Sequence, residues 1–182
     1  MPLTFPSHQG LILPFWRRFP DRIDAVALCV GAAMPDVVDV SAWPFRGELG
    51  HWLGHSLVGI PVCLALGLVM AWGARLLLPQ RWISRLDEGA PLSPGIVRAG
   101  FSLIIGVVSH DGFDSITHEG FGFLWPWYGN HNIFPSWWYH TWATIPLPPY
   151  HEPYPLAPQT IAWIILTIIG AIVIVRCLRR AN

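Results

Sequence analysis

The sequence predicts an all-α, polytopic integral membrane helix bundle, and three observations support this prediction. Of the 182 residues, 53% are hydrophobic and only 12% are charged, whereas soluble domains usually carry about 25% charged residues. Three apolar segments are long enough to cross a bilayer, and the 11 basic residues are all arginine. The formal net charge is zero, so the composition gives no reason to expect a nucleic-acid partner.

The three predicted transmembrane helices cover residues 53–78, 95–118 and 159–178. Each segment provides the roughly 20 mostly apolar residues that a crossing helix needs. Before them, residues 1–42 are predicted to form a hairpin of two shorter helices, which descends from His8 and returns to Asp36. Partial spans of this kind are allowed where protein covers their ends. We expect residues 1–182 to form one membrane domain.

The arginines predict how the chain is oriented. All but Arg46 fall in three clusters on one side of the predicted helices: Arg17, Arg18 and Arg22; Arg75, Arg81, Arg85 and Arg98; and Arg176, Arg179 and Arg180. The positive-inside rule places these clusters and the C-terminus in the cytoplasm of a multi-pass inner-membrane protein. Residues 119–158 contain no arginine and are rich in aromatic residues and proline. We expect them to face outward, either as an interfacial anchor or as a lid or lipid-binding wall over a site.

Histidines and aspartates lie deep in the second predicted transmembrane helix, within SHDGFDSITHEG. His110, Asp114 and His118 are spaced by four and form a gently winding stripe on one helix face, whereas Asp111 projects from a different face. Counted from Arg98 at the inner boundary, His110 lies about 18 Å and Asp114 about 24 Å along a crossing of about 30 Å. Ionisable residues at such depth are rare and are functional candidates.

Other segments place similar residues at similar heights. Counted from the nearest arginine, Asp36 lies about 21 Å and His8 about 14 Å from the inner boundary, and His55 lies near the outer interface. Imidazole and carboxylate groups are common ligands of zinc and other divalent transition metals. The predicted ligands of one or two divalent ions, with zinc expected first, are His8, Asp36, His51, His55, His110, Asp114 and His118. Asp39 is expected to cap a helix or to orient a ligand.

Each of these residues also has a purely structural explanation. A buried histidine often donates only to a backbone carbonyl, and an aspartate can cap a helix. The stripe as a whole fits this explanation less well, because burying three such groups without a partner is expensive. Intramembrane Asp and His chains also mark proton or ion pathways. Three hypotheses therefore remain: a metal-dependent hydrolase, a transport or proton-relay protein, and a non-catalytic scaffold. We rank the relay below the hydrolase, because the inner halves of the long helices are apolar and offer almost no polar groups for a path to the cytoplasm.

Four motifs, MPLTFPSH, GAAMPD, GHSLVG and GVVSHDGFDSITHEG, follow one another over most of the first 120 residues. Together they resemble bacterial inner-membrane proteins of unknown function that are described as membrane-bound metal-dependent hydrolases, in the LexA-binding-protein-like group. The resemblance implies a hydrolase that uses a bound metal.

For the hydrolase hypothesis, we expect the metal to lower the pKa of its bound water to about 7. Asp111 or Glu119 is the expected general base. A site in the outer half of the bilayer, beneath aromatic residues, suits a lipid or isoprenoid phosphoester as substrate.

Overall fold

The computed structural model describes residues 4–46, 52–79, 83, 95–120, 122–127, 132–146 and 154–179. Its helices, in chain order, are α1 (Thr4–Arg18), α2 (Ala25–Gly31), α3 (Met34–Arg46), α4 (Gly59–Leu77), α5 (Ile96–Thr117), α6 (Ser136–Tyr139) and α7 (Pro158–Arg179). Two short strands, β1 (Ala143–Ile145) and β2 (Tyr154–Leu156), pair in an antiparallel manner between α6 and α7.

Three of these helices, α4, α5 and α7, are long and apolar enough to cross a membrane. Side chains such as Leu66, Val69 and Ile168 are exposed on α4 and α7, as expected for surfaces that face lipid rather than water. The prediction of an all-α membrane bundle with three long helices is therefore confirmed.

The N-terminal part contains a break that the predicted two-helix hairpin does not include. The second arm is divided into α2 and α3, which meet at an angle of 42°. Pro35 lies just after the break and has no N–H group to donate to the carbonyl of Gly31, so the helical hydrogen bonds cannot continue through this point. The backbone N–H groups of Ala32 and Ala33 instead close α2 by donating to the carbonyls of Leu28 and Val30, respectively.

Glycines allow the helix backbones to approach each other closely. A Cβ atom on Gly106 of α5 would lie 2.5 Å from the carbonyl oxygen of Leu28 in α2. A Cβ atom on Gly170 of α7 would lie 2.7 Å from the carbonyl oxygen of Pro6 in α1. Small residues at helix crossings are typical of membrane bundles, where close packing replaces the hydrophobic effect. These crossings fix α2 against α5 and α1 against α7.

A buried ion pair joins three helices at the end of the bundle where α5 begins. The guanidinium of Arg75 lies 2.9 Å from Asp24 Oδ1, and the same carboxylate caps α2 by accepting from the N–H of Ala27. The N–H of Asp24 donates to the hydroxyl of Ser102 in α5 at 2.8 Å. Asp24 is only 1% exposed, so this network ties α2, α4 and α5 together.

The aromatic segment after α5 folds back over the other end of that helix. The indole N–H of Trp138 donates to the carbonyl of Ile116 at 2.8 Å, and the N–H of Leu57 donates to the carbonyl of Phe123 at 2.8 Å. Trp127 and Trp142 are exposed. Polar and aromatic residues therefore concentrate at the C-terminal end of α5.

Candidate metal centre

Four of the predicted ligands meet between the broken helix, the turn before α4 and the last third of α5. Asp36, His55, His110 and Asp114 each offer one atom, and these four atoms all lie within 4.8 Å of one another. His55, His110 and Asp114 are buried, whereas the side chain of Asp36 is 19% exposed. We call these four residues the candidate metal centre.

Local backbone structure explains how the four residues reach one point. The break after α2 redirects the chain, so that Asp36 falls in the first turn of α3. Gly54 packs directly against the carbonyl of Pro35, where a Cβ atom has no room, and this contact brings the neighbouring His55 to α3. His110 and Asp114 are one helical turn apart and therefore lie on the same side of α5.

The separations within the candidate metal centre match the edges of a small coordination polyhedron. Nε2 of His55 lies 3.1 Å from Nε2 of His110 and 3.2 Å from Oδ2 of Asp114. Oδ1 of Asp36 lies 3.4 Å from Nε2 of His55 and 3.8 Å from Nε2 of His110. A tetrahedral site with bonds of about 2.0–2.1 Å has edges of about 3.3–3.4 Å. The Asp36–His110 separation exceeds these edges, and the other three separations lie close to them.

Hydrogen bonds on the far side of each imidazole orient both rings toward this point. Nδ1 of His110 lies 2.8 Å from the carbonyl oxygen of Ala32, which can only accept, so this nitrogen carries the proton. Nδ1 of His55 lies 2.7 Å from Oδ2 of Asp39 and donates to that carboxylate. The other nitrogen of each ring, Nε2, is therefore directed into the candidate metal centre, as in histidines whose second nitrogen is held by a hydrogen bond.

His8 and His118 lie against the other oxygen of Asp114. Nε2 of His8 is 3.2 Å from Oδ1 of Asp114, and the His8 ring stacks on the ring of His110 with 4.0 Å between centroids. Nδ1 of His118 is 3.6 Å from the same Oδ1 atom. The predicted ligand His51 falls outside the described residues.

The two predicted general bases occupy different surroundings. Asp111 is 3% exposed, and neither of its carboxylate oxygens has a hydrogen-bond partner. Glu119 is exposed just beyond α5, and its carboxylate accepts from the side-chain amide of Asn132 at 3.3 Å.

The sequence only partly predicts the two groups that orient the imidazoles of the candidate metal centre, the carboxylate of Asp39 and the carbonyl of Ala32. Asp39 follows Asp36 by three residues and so shares its side of α3, which is a usable signal for a residue that supports a ligand. No side chain in the sequence predicts the contact between the carbonyl of Ala32 and His110, because a main-chain oxygen is available as an acceptor only where the helix breaks. Pro35 marks that break.

The donor set fits a divalent transition metal. Two imidazole nitrogens and two carboxylate oxygens converge, with each imidazole held by a second hydrogen bond, as is usual for histidines that bind metals. Calcium and magnesium prefer oxygen ligands throughout, which this group does not offer.

Comparison with known proteins identifies the family. A model of a domain of unknown function, DUF4184, matches residues 1–143. The chain belongs to the DUF4184 family. The matched region includes the candidate metal centre together with His8 and His118. No curated protein and no solved structure gives a match. The description of DUF4184 states no activity, so the hydrolase function and the LexA-binding-protein-like grouping stay predictions.

Proposed function

We propose that this protein is a membrane-bound, zinc-dependent hydrolase that acts on lipid or isoprenoid phosphoesters at the outer face of the inner membrane. The observation that carries the proposal is the convergence of Asp36, His55, His110 and Asp114, with both imidazoles oriented by separate hydrogen bonds.

Zinc is the metal that this group favours. Imidazole nitrogen and carboxylate oxygen are both zinc ligands, and three buried donors beside the more exposed Asp36 suit a tetrahedral zinc site that keeps one position open to water. Manganese ranks below zinc here, because manganese favours oxygen donors and octahedral coordination. The proposal of zinc therefore rests on the number of donors as well as on their chemistry.

The four residues differ in burial, which distinguishes those that would hold the ion from the one beside which water and substrate would approach. His55 and His110 are 1% and 0% exposed and Asp114 is 3% exposed, so these three residues hold the ion. Asp36 stands at the more open edge, where water and substrate approach. Catalytic zinc sites commonly use three protein ligands and leave one position for water. When bound, the metal lowers the pKa of its water and polarises the phosphoester.

A carboxylate of this chain would act as the general base that takes the proton of the attacking water. Asp111 is next to His110 in the chain and its oxygens have no hydrogen-bond partner, whereas Glu119 is exposed and paired with Asn132. We favour Asp111 because its oxygens are free of competing donors in the described structure.

The position of the candidate metal centre along α5 supports a lipid substrate. Asp114 lies about 27 Å from the first residue of a helix of about 33 Å, at a rise of ~1.5 Å per residue. The exposed arginines at the opposite end of the helices favour that end as the cytoplasmic one. The reacting group would then sit at headgroup depth, toward the end of α5 that the aromatic segment covers through the bond from Trp138 to Ile116. An amphiphile with an apolar tail and a phosphoester head fits this position.

A proton or ion relay is less well supported. Between the candidate metal centre and the Asp24–Arg75 pair, the bundle is filled by apolar side chains such as Met34, Leu103 and Val107, which are 0–1% exposed. A relay needs polar groups or water along its whole path.

Metal analysis of the detergent-purified protein tests the proposal. We expect at least one zinc ion per chain by elemental mass spectrometry, lost in folded His110→Ala and Asp114→Ala variants and retained in His140→Ala, which changes an exposed histidine. Purified protein should then release phosphate or an alcohol from a panel of lipid phosphoesters. A folded wild type that binds no metal after reloading would remove the hydrolase proposal. Metal binding without turnover on the whole panel would favour a non-catalytic scaffold.

A further inference from the structure

The two carboxylate oxygens of Asp114 have different surroundings. Oδ2 lies 3.2 Å from Nε2 of both His55 and His110 and so faces the candidate metal centre. Oδ1 lies 3.2 Å from Nε2 of His8, which is within hydrogen-bonding distance. An ionised carboxylate oxygen can only accept, so Nε2 of His8 donates. This assignment holds for a neutral His8 ring and for an imidazolium alike.

The ring of His8 is held in place from several sides. It stacks on the ring of His110, with 4.0 Å between centroids and 25° between planes, and lies 5.9 Å from the ring of Phe113. Its backbone is fixed as well, because Gly10, two residues further along α1, packs against Gly170 of α7 where a Cβ atom has no room. The N–H group that faces Asp114 therefore has a defined position.

His118 is placed less well to support Asp114. Its Nδ1 atom lies 3.6 Å from Oδ1 of Asp114, which is too long for a hydrogen bond. The hydroxyl of Thr117 lies closer to the same nitrogen, at 3.1 Å. His118 also follows the end of α5 with an extended backbone, and its side chain is 22% exposed. Of these two histidines, His8 is the one within hydrogen-bonding distance of Asp114.

We propose that His8 is a positioning residue of the candidate metal centre, which donates to Oδ1 of Asp114 and thereby holds Oδ2 toward the metal. This inference rests on the proposed function, of which it needs only the bound metal. It gives a role to α1, a helix that carries none of the four proposed ligands. Nδ1 of His8 is buried without a hydrogen-bond partner, so the bond from Nε2 to Asp114 is what offsets the cost of burying this ring. Carboxylates that bind metals are commonly hydrogen-bonded in turn.

Two substitutions of His8 separate its hydrogen bond from its ring. His8→Phe keeps a ring that can stack on His110 but has no N–H group, whereas His8→Gln loses the ring and keeps a donor in its side-chain amide. Competition titration of the full-length protein in detergent with a zinc chelator measures affinity. We expect His8→Phe to bind zinc about 10–100-fold more weakly than the wild type and His8→Gln to recover most of this loss. His140→Phe, the same change at an exposed histidine, should keep the affinity of the wild type.

Cobalt distinguishes a positioning residue from a ligand, because the visible absorption of bound Co²⁺ depends on its ligands and their geometry. At saturating Co²⁺, His8→Phe should keep the absorption bands of the wild type, since the four proposed ligands remain. Shifted bands would show that His8 is itself a ligand and would overturn the inference. Equal zinc affinity in His8→Phe and the wild type would also overturn it, as would equal losses in His8→Phe and His8→Gln. A wild type that binds no metal removes both proposals, whereas the expected affinities without turnover of any phosphoester remove the hydrolase alone.

Discussion

Nδ1 of His55 lies 2.7 Å from Oδ2 of Asp39, and this contact fixes the ring of a proposed metal ligand from behind. The same carboxylate accepts from the backbone N–H groups of Trp52 at 2.6 Å and Gly54 at 2.7 Å. One buried side chain of α3 therefore orients both the imidazole and the turn that carries it. The orientation leaves Nε2 of His55 directed at the candidate metal centre.

Replacing Asp39 tests this arrangement without removing a ligand. In Asp39→Asn, the side chain keeps one acceptor for the turn but loses the negative charge that favours a proton on Nδ1 of His55. We expect metal affinity to fall by about 10–100-fold, the usual effect of removing the partner of a ligating histidine. Competition titration with a zinc chelator measures the change.

Asp21→Asn is the matched control, because Asp21 is an exposed aspartate in the turn between α1 and α2. It should leave the affinity unchanged. Equal affinity in Asp39→Asn and the wild type would show that Asp39 supports only the fold of the turn.

Two glycines of α5 offer a test of the helix crossing. A Cβ atom on Gly106 would lie 2.5 Å from the carbonyl of Leu28, whereas one on Gly112 meets nothing within 4 Å. Gly106→Ala should separate α2 from α5 and cost about 1–3 kcal/mol of stability. It should also weaken metal binding, because the carbonyl of Ala32 moves away from His110.

Gly112→Ala should leave stability unchanged or raise it by up to about 1 kcal/mol, since alanine is the better helix former. Thermal unfolding in detergent, with metal content measured on the same samples, compares the two variants. Similar melting temperatures for both would contradict the crossing described above.

The sequence could predict the long helices and the residue types of the site, but not which side chains of the site contact each other. Apolar length and arginine placement define the spans, and helix geometry alone places His110 and Asp114 on one face of α5. The prediction that His118 continues this face is wrong, because the helix ends at Thr117 and His118 has an extended backbone. Helical rise also places Asp36 and His8 at about the right height. The rest depends on tertiary contacts, such as the break that exposes the carbonyl of Ala32. Which oxygen of Asp114 faces which histidine is a property of the packed side chains.

The ion pair at the other end of the bundle should affect stability but not the metal. Arg75→Gln leaves the buried carboxylate of Asp24 without its partner, which typically costs about 3–5 kcal/mol. Asp24→Asn should be milder, because asparagine is an equally good cap for α2. The double variant should be more stable than Arg75→Gln alone, since no uncompensated buried charge remains.

Denaturation in detergent, with metal content measured below the transition, gives both quantities. Metal stoichiometry should match the wild type in all three variants. If the double variant were as unstable as Arg75→Gln, the loss would come from the packing of Arg75 rather than from the unpaired charge.

The crossing of α1 and α7 should affect how tightly the candidate metal centre binds zinc. Gly10 contacts the backbone of Gly170 so closely that a Cβ atom has no room, and His8 lies about half a turn away on α1. Gly10→Ala should displace α1 and with it His8, whose Nε2 lies 3.2 Å from Oδ1 of Asp114. We expect zinc affinity to fall by about 10-fold or more, because Asp114 loses a partner that orients it. Competition titration with a zinc chelator measures the change, and Gly73→Ala, at a glycine of α4 with nothing within 4 Å, should keep the affinity of the wild type. Equal affinity in Gly10→Ala and the wild type would show that the contact between His8 and Asp114 does not support metal binding.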